Sequence, residues 1–148
     1  RYTGRKRWFM MGLSAGYHNL DDFRSGKRPC GANETFWLEQ EERMFAIFRR
    51  VMELGLLPVC GTDAGTGGTR FDETWLELAL MVRRGGLSEK EAIHIGTLQS
   101  AACLGLENQT GAIREGLSAD LMALEEDPFT HIEALAHPAQ VICRGELV

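Results

Sequence analysis

The stretch "GLLPVCGTDAG", residues 55 to 65, decides how the rest of the chain is read. A glycine closes what precedes it, an apolar run follows from Leu56, and a single acid, Asp63, then stands before a glycine-rich segment. The run Leu56 to Thr62 is too short for a helix and nearly all apolar, which predicts a strand covered on both faces, as in a parallel sheet. Upstream, Trp37, Met44, Ile47, Phe48, Val51 and Met52 recur at steps of three and four, while Glu39, Glu41, Glu42, Arg43, Arg49 and Arg50 mostly take the other face. Thr35 to Leu54 is therefore an expected amphipathic helix, stopped by Gly55. Helix, glycine and buried strand make an α/β rhythm.

Working outward, residues 1 to 33 lack sustained periodicity and predict mostly loop, with a short strand at Trp8 to Met11. Beyond the loop 64 to 71, Asp72 is placed to cap a helix through about Arg84, with Trp75, Leu78, Ala79 and Val82 on one side and Gly85-Gly86 ending it. Ser88-Glu89-Lys90-Glu91 is a capping box opening a helix to Gly96, and a further helix is expected from Thr97 to Leu104-Gly105. After Leu106 the texture changes. Turn signals at Thr110-Gly111, Glu115-Gly116, Asp127-Pro128 and Arg144-Gly145 divide the tail. Asp120 to Leu124 and Gln140 to Cys143 read as strands, and Thr130 to Glu133 as a second capping box opening a short helix to Ala136. The expected organisation is an α/β part, residues 1–106, followed by a β-rich unit, residues 107–148.

Composition narrows the function classes. The chain has 148 residues, 44% of them hydrophobic, and a net charge of -5, which suits an ordinary globular chain with a core and argues against a phosphate-tracking surface. Nucleic acid is not an expected partner, and no apolar run approaches the roughly 18 residues of a membrane span. Cys30, Cys60, Cys103 and Cys143 form no C-x-x-C pair, and the chain opens on no signal-peptide pattern. Free thiols in a reducing, cytoplasmic setting are the expectation. The chain opens Arg-Tyr-Thr and stops at Val148 just after a turn signal, so it reads as a fragment of a longer protein.

What, then, is Asp63 for? An aspartate at the C-terminal end of a buried parallel strand is where α/β proteins place catalytic groups, because the strand aims the side chain and the loop admits substrate. A turn cap is the competing reading, and position alone leaves both open. A phosphate cradle fits poorly, since "GTDAGTGGTR" lacks the Gly-Lys-Ser/Thr of a P-loop and the glycine spacing of a dinucleotide fingerprint.

Four blocks, taken in order, weigh on the choice: "GLLPVCGTDAG", the segment Met81 to Thr97, "SAACLGLENQTGAIREGLSADLMALEEDPF" and "AQVICRGELV". Together, from about Leu54 to Val148, they resemble the C-terminal end of the amidohydrolase superfamily, nearest its imidazolonepropionase and prolidase-like metal-dependent hydrolases. The resemblance implies the last part of a (β/α)8 TIM-type barrel plus part of a small composite β-domain. It implies that Asp63 follows the eighth barrel strand, binds a divalent metal, zinc by expectation, and accepts the proton of a metal-bound water attacking a carbonyl carbon. The substrate class so implied is a small amide, cyclic amide or dipeptide-like molecule.

The departures are equally concrete. A barrel needs about 250 residues. The family's first-strand His-x-His is absent, as are ligands from its middle strands. One carboxylate does not hold zinc, so this chain alone is expected to be inactive and metal-free. Of the histidines, His94, His131 and His137 read as surface or loop residues, while His18, in "AGYHNLDDF", is a substrate-contact candidate, as is Arg70 in the loop after Asp63. Glu125-Glu126-Asp127 reads as a solvated turn and Asp120 as a structural acid binding backbone. A strand apolar on both faces with few partners in the chain leads to an expected homo-oligomer. The alternative is a truncated, non-catalytic binding or assembly module built on the same fold.

Overall fold

Two short parallel strands lie at the centre of the α/β part. β1 (Trp8–Met10) pairs with β2 (Leu57–Val59) in the register Trp8 to Leu57, Phe9 to Pro58 and Met10 to Val59. This comes from a computed structural model, which describes residues 6–27, 34–65 and 69–148. Pro58 is the buried residue of β2, and its neighbours Leu57 and Val59 are half-buried. Proline offers no N–H, so its side of the ladder asks for less. Its carbonyl accepts a 2.6 Å hydrogen bond from the Gln99 side chain, and the Cys60 N–H donates to Ser100 Oγ at 3.1 Å. Helix side chains thus satisfy backbone groups that a further strand would otherwise take.

Between the strands run two helices, α1 (Leu13–Arg24) and α2 (Glu34–Glu53). α1 corrects the expectation of loop over residues 1 to 33. Leu13 and Leu20 are fully buried at helical spacing, and Gly16, a poor helix former, is there because a Cβ would sit 2.6 Å from Met44 Sδ. α2 falls where expected, but its buried stripe is rotated. Phe45 and Phe48 are core residues, whereas Ile47 and Phe36 are exposed. The expected core contact of Trp37, and the thiol of Cys30, lie outside the described residues. α2 ends as its glycine requires: Gly55, at φ +76°, donates to the Met52 carbonyl and Leu56 to that of Val51.

α3 (Thr74–Arg83) is buried from Leu76 to Met81 on every side, so it is a central helix rather than the one-sided helix expected. Asp72 does not cap it. The preceding residue, Glu73, holds the cap position without a side-chain bond, because the Asp72 carboxylate is taken by Arg70. Ser88 does form the expected capping box with Glu91, opening α4 (Glu89–His94). No break follows at Gly96. The helix continues through a π-helical turn, Ile95–Gln99, into α5 (Ser100–Leu104). The glycine serves packing, since a Cβ there would lie 2.9 Å from a Leu78 methyl on α3.

The tail forms an antiparallel sheet, β3 (Leu121–Ala123), β4 (Gln140–Cys143) and β5 (Glu146–Leu147). Asp120 does bind backbone, accepting from the Arg144 N–H at 2.9 Å and from the Thr110 hydroxyl at 3.0 Å. The second capping box is absent. Asp127 instead takes the Phe129 N–H at 2.9 Å, and a 3₁₀ turn, Ile132–Ala136, follows with His131 at its cap position making no side-chain bond. Buried Ile132 joins the core built by Leu13, Phe45, Phe48, Leu78, Leu80 and Ile95. No helix among the described residues is long and apolar enough to cross a membrane.

Candidate functional site

The two strands run parallel, so the chain leaves both at the same end: into Gly12 and α1 after β1, and into Thr62 and Asp63 after β2. The two exits touch. A Cβ built on Gly12 would lie 3.5 Å from Asp63 Cβ and 3.6 Å from the Thr62 carbonyl oxygen. Asp63 is exposed and its backbone sits at φ +56°, the left-handed region that aspartate enters more readily than most residues but still at a cost. Such a cost is often met where a side chain must be aimed. The loop beyond is closed by a 3.0 Å bond from the Gly65 N–H to the Thr69 carbonyl; glycines 67 and 68 lie outside the described residues.

A second layer surrounds this end. Glu77, fully buried on α3, accepts from the Leu13 N–H at 3.0 Å and from the Ser14 N–H at 2.8 Å. Burial lifts its carboxyl above the usual carboxylate range, and the N–H donors of Ser14 and Leu13 oppose the rise. The thiol of Cys60 is pushed up to about 12 by burial, with the Glu77 charge adding to it. It stays neutral, and is no nucleophile.

The two substrate-contact candidates converge on a residue the sequence did not single out. His18 Nε2 is 2.8 Å from Glu73 Oε2, close enough for an ion pair though not aligned as a hydrogen bond. Arg70 Nε is 3.8 Å from the other Glu73 oxygen, while its guanidinium binds Asp72 with two bonds of 2.9 and 2.6 Å. That grip holds the Asp72 carboxyl below its usual range. His18 and Arg70 thus form one charged cluster with Glu73 and Asp72, and Arg70 meets a carboxylate of its own chain. The remaining histidines lie elsewhere. His94 lines an apolar groove of about 390 Å³ with Met52, Leu56, Leu87 and Ile95, toward the other end of β2, and His131 lies 3.8 Å from Glu126.

Among the described residues no three His, Cys, Asp or Glu side chains come together to hold an ion, and Asp63 alone is one ligand where three or four are needed. Glu77 and Glu73 were missed by sequence reasoning. Glu77 did leave a signal: it is a lone acid in the helical run "TWLELALMV", whose other residues are apolar apart from Thr74.

The amidohydrolase family profile matches residues 39–148, and the chain belongs to that family. Among curated proteins it is 36% identical over 95 residues to the ochratoxinase of Aspergillus niger, a match covering 64% of this chain and 19% of that one. It is 32% identical over 98 residues to the imidazolonepropionase of Kosmotoga olearia, covering 66% of this chain and 23% of that one. Among solved structures, a Xaa-Pro dipeptidase with bound methionine superposes with a TM-score of 0.78 at 26% identity, over 95% of this chain and 34% of the other. The A. niger ochratoxinase structure does so with a TM-score of 0.72 at 26% identity, over 95% and 31%. The chain therefore spans about a fifth of the curated relatives it matches and about a third of the solved structures.

Proposed function

We propose that this chain supplies the C-terminal part of a hydrolase that cleaves carbon–nitrogen bonds in small amide, cyclic amide or dipeptide-like substrates, and that Asp63 is its proton-transfer group. In that reading residues 1–106 end a (β/α)8 barrel, with β2 as its last strand, and residues 107–148 belong to a small β-domain. The observation that carries it is Asp63 itself: an exposed carboxylate on left-handed backbone at the shared exit of two parallel strands. Such carboxylates transfer protons to and from reacting groups. Water attacks the amide carbon, Asp63 accepts the proton the water gives up, and the same proton then goes to the nitrogen as the C–N bond breaks, leaving a carboxylic acid and an amine, between which the acid's proton passes to give carboxylate and ammonium.

Asp63 would also give a divalent metal, zinc by family expectation, one of its ligands. Among the described residues no group of three His, Cys, Asp or Glu side chains comes together to complete such a site. The test uses the intact protein and a panel of Xaa-Pro dipeptides, N-acyl amino acids and cyclic amides. Hydrolysis of one class, reduced at least 100-fold by Asp63→Asn, is the expected result, in line with loss of a general base. Near-normal turnover by a folded Asp63→Asn protein would return the residue to a turn cap. No hydrolysis of any class would favour the non-catalytic assembly module.

A further inference from the structure

We infer that Glu77 is a positioning residue for Asp63: its buried carboxylate clamps the first turn of α1 against the Thr62–Asp63 turn and so fixes where the reactive carboxylate stands. The inference rests on the proposed role of Asp63.

Glu77 is in an expensive place. It is fully buried in an otherwise apolar helix, and no cation lies within ion-pair distance of it among the described residues. A buried carboxylate persists only where it is fully hydrogen-bonded, and an uncharged residue would suit the packing of α3 better. Both of its oxygens are spent on adjacent N–H groups of one segment, Leu13 to Oε1 and Ser14 to Oε2. These are the first two amides of α1, which a helix leaves without internal partners; that of Leu13 also reaches the Met11 carbonyl at 3.0 Å. An ordinary helix fills that need from its own cap residue. Here the cap residue is Gly12, which has no side chain to offer, and a Cβ in its place would already touch Asp63 Cβ. The cap is supplied by a residue 64 positions away from Leu13, and Gly12 stands at van der Waals distance from Asp63.

The links form a closed circuit. Asp63 leads through its loop into α3, α3 carries Glu77, Glu77 holds Leu13 and Ser14, and that turn returns to Asp63 through the Gly12 contact and the 3.5 Å approach of Ser14 Oγ to the Thr62 carbonyl. Releasing Glu77 frees the wall against which Asp63 is set. A plain cap would affect α1 alone.

The experiment compares Glu77→Gln, Asp63→Asn and the double variant in the intact protein. Turnover is measured on the substrate found active, and amide hydrogen exchange is followed in peptides covering residues 10–15 and 59–65. Gln keeps the shape but has one acceptor where two are needed. Glu77→Gln should lower kcat at least tenfold with KM within twofold, and speed exchange in both peptides. Added to Asp63→Asn it should cost less than a further twofold. If Glu77→Gln does not fold, Glu77→Leu, which removes the buried charge, serves in its place. Faster exchange confined to residues 10–15, or kcat losses that multiply in the double variant, would overturn the positioning role. A fully active Asp63→Asn would instead overturn the reading of Asp63 beneath it.

Discussion

A thiol is alkylated as its thiolate, so burial and neighbouring charge decide which cysteine reacts. Cys143 is exposed on β4, whereas Cys60 lies beside β2 with its pKa pushed up to about 12 by burial and by Glu77. Treatment of the native chain with iodoacetamide near neutral pH, followed by peptide mass spectrometry, should label Cys143 at least tenfold faster than Cys60, and unfolding should erase the difference. Equal native rates would show that Cys60 is not shielded. The same shift makes a statement about alkaline stability. The folded value lies above the ordinary 9.0, so the stabilisation is whole below pH 9 and is lost as pH climbs toward 12. At this scale the sequence was legible where one residue carries a local rule. Asp63 stood out because an acid after a short apolar run is unusual, and the backbone-binding role of Asp120 was legible because strand ends need acids for stray amides. Glu77 and Glu73 were hidden, because what they bind lies far along the chain.

Glycine 111 shows how one element is seated on another. It sits at φ +92°, and a Cβ there would come 2.7 Å from Ala101 Cβ and 3.1 Å from both Leu98 Cα and the Thr97 carbonyl, all in the π-helical turn and α5. Gly111→Ala therefore meets both a backbone penalty and a clash with atoms that cannot swing away, together about 2–4 kcal/mol. Gly116, at φ +86° with open space around it, meets only the backbone part, about 1–2 kcal/mol when replaced by Ala. Denaturant unfolding of the two variants should show the larger loss at position 111; equal losses would mean the tail is not seated on the helix. Elements with local signals were legible in the sequence: α2 with its Gly55 stop, the Ser88 capping box, β4 by its end residues. α1 was not, since its own sequence carries a mid-helix glycine and no cap. Gly96 misled for a related reason. A glycine that stops a helix and a glycine that lets another helix approach look alike until the neighbour, here Leu78, is in view.

For the whole molecule, the question is what covers the surfaces left open. β1 and β2 form a two-stranded sheet, and β3 to β5 a three-stranded one whose outer strands each have a single partner among the described residues. Met122 and Val141 pair across β3 and β4, yet both are exposed, as are Leu147 and Val148. Sheet edges and apolar faces of this kind pair with other chains unless something covers them. The chain by itself is therefore expected to self-associate. Light scattering over a tenfold concentration range should show a mass above the monomer that rises with concentration, and a strictly monomeric, cooperatively melting chain would contradict it. That the fold is α/β was legible from helix–glycine–strand alternation alone. That β2 takes Trp8–Met10 as its parallel neighbour was not, because neither periodicity nor spacing reports pairing between distant segments.

The grip of Glu77 on Leu13 and Ser14 also has a consequence in time. A ribosome extends a chain by roughly 5–20 residues per second. Leu13 thus emerges several seconds before its acceptor, 64 residues downstream, has been made. Through that interval the Ser14 amide lacks its acceptor, that of Leu13 has only the Met11 carbonyl, α1 carries a glycine in its middle, and a helix of its length is marginal by itself. β1 likewise lacks its partner β2 until that strand follows. Residues 8–24 are thus without these contacts while α2 forms locally, and gain the Glu77 clamp only when α3 arrives. A nascent chain paused before Glu77 should leave residues 8–24 open to protease, and one paused beyond α3 should not.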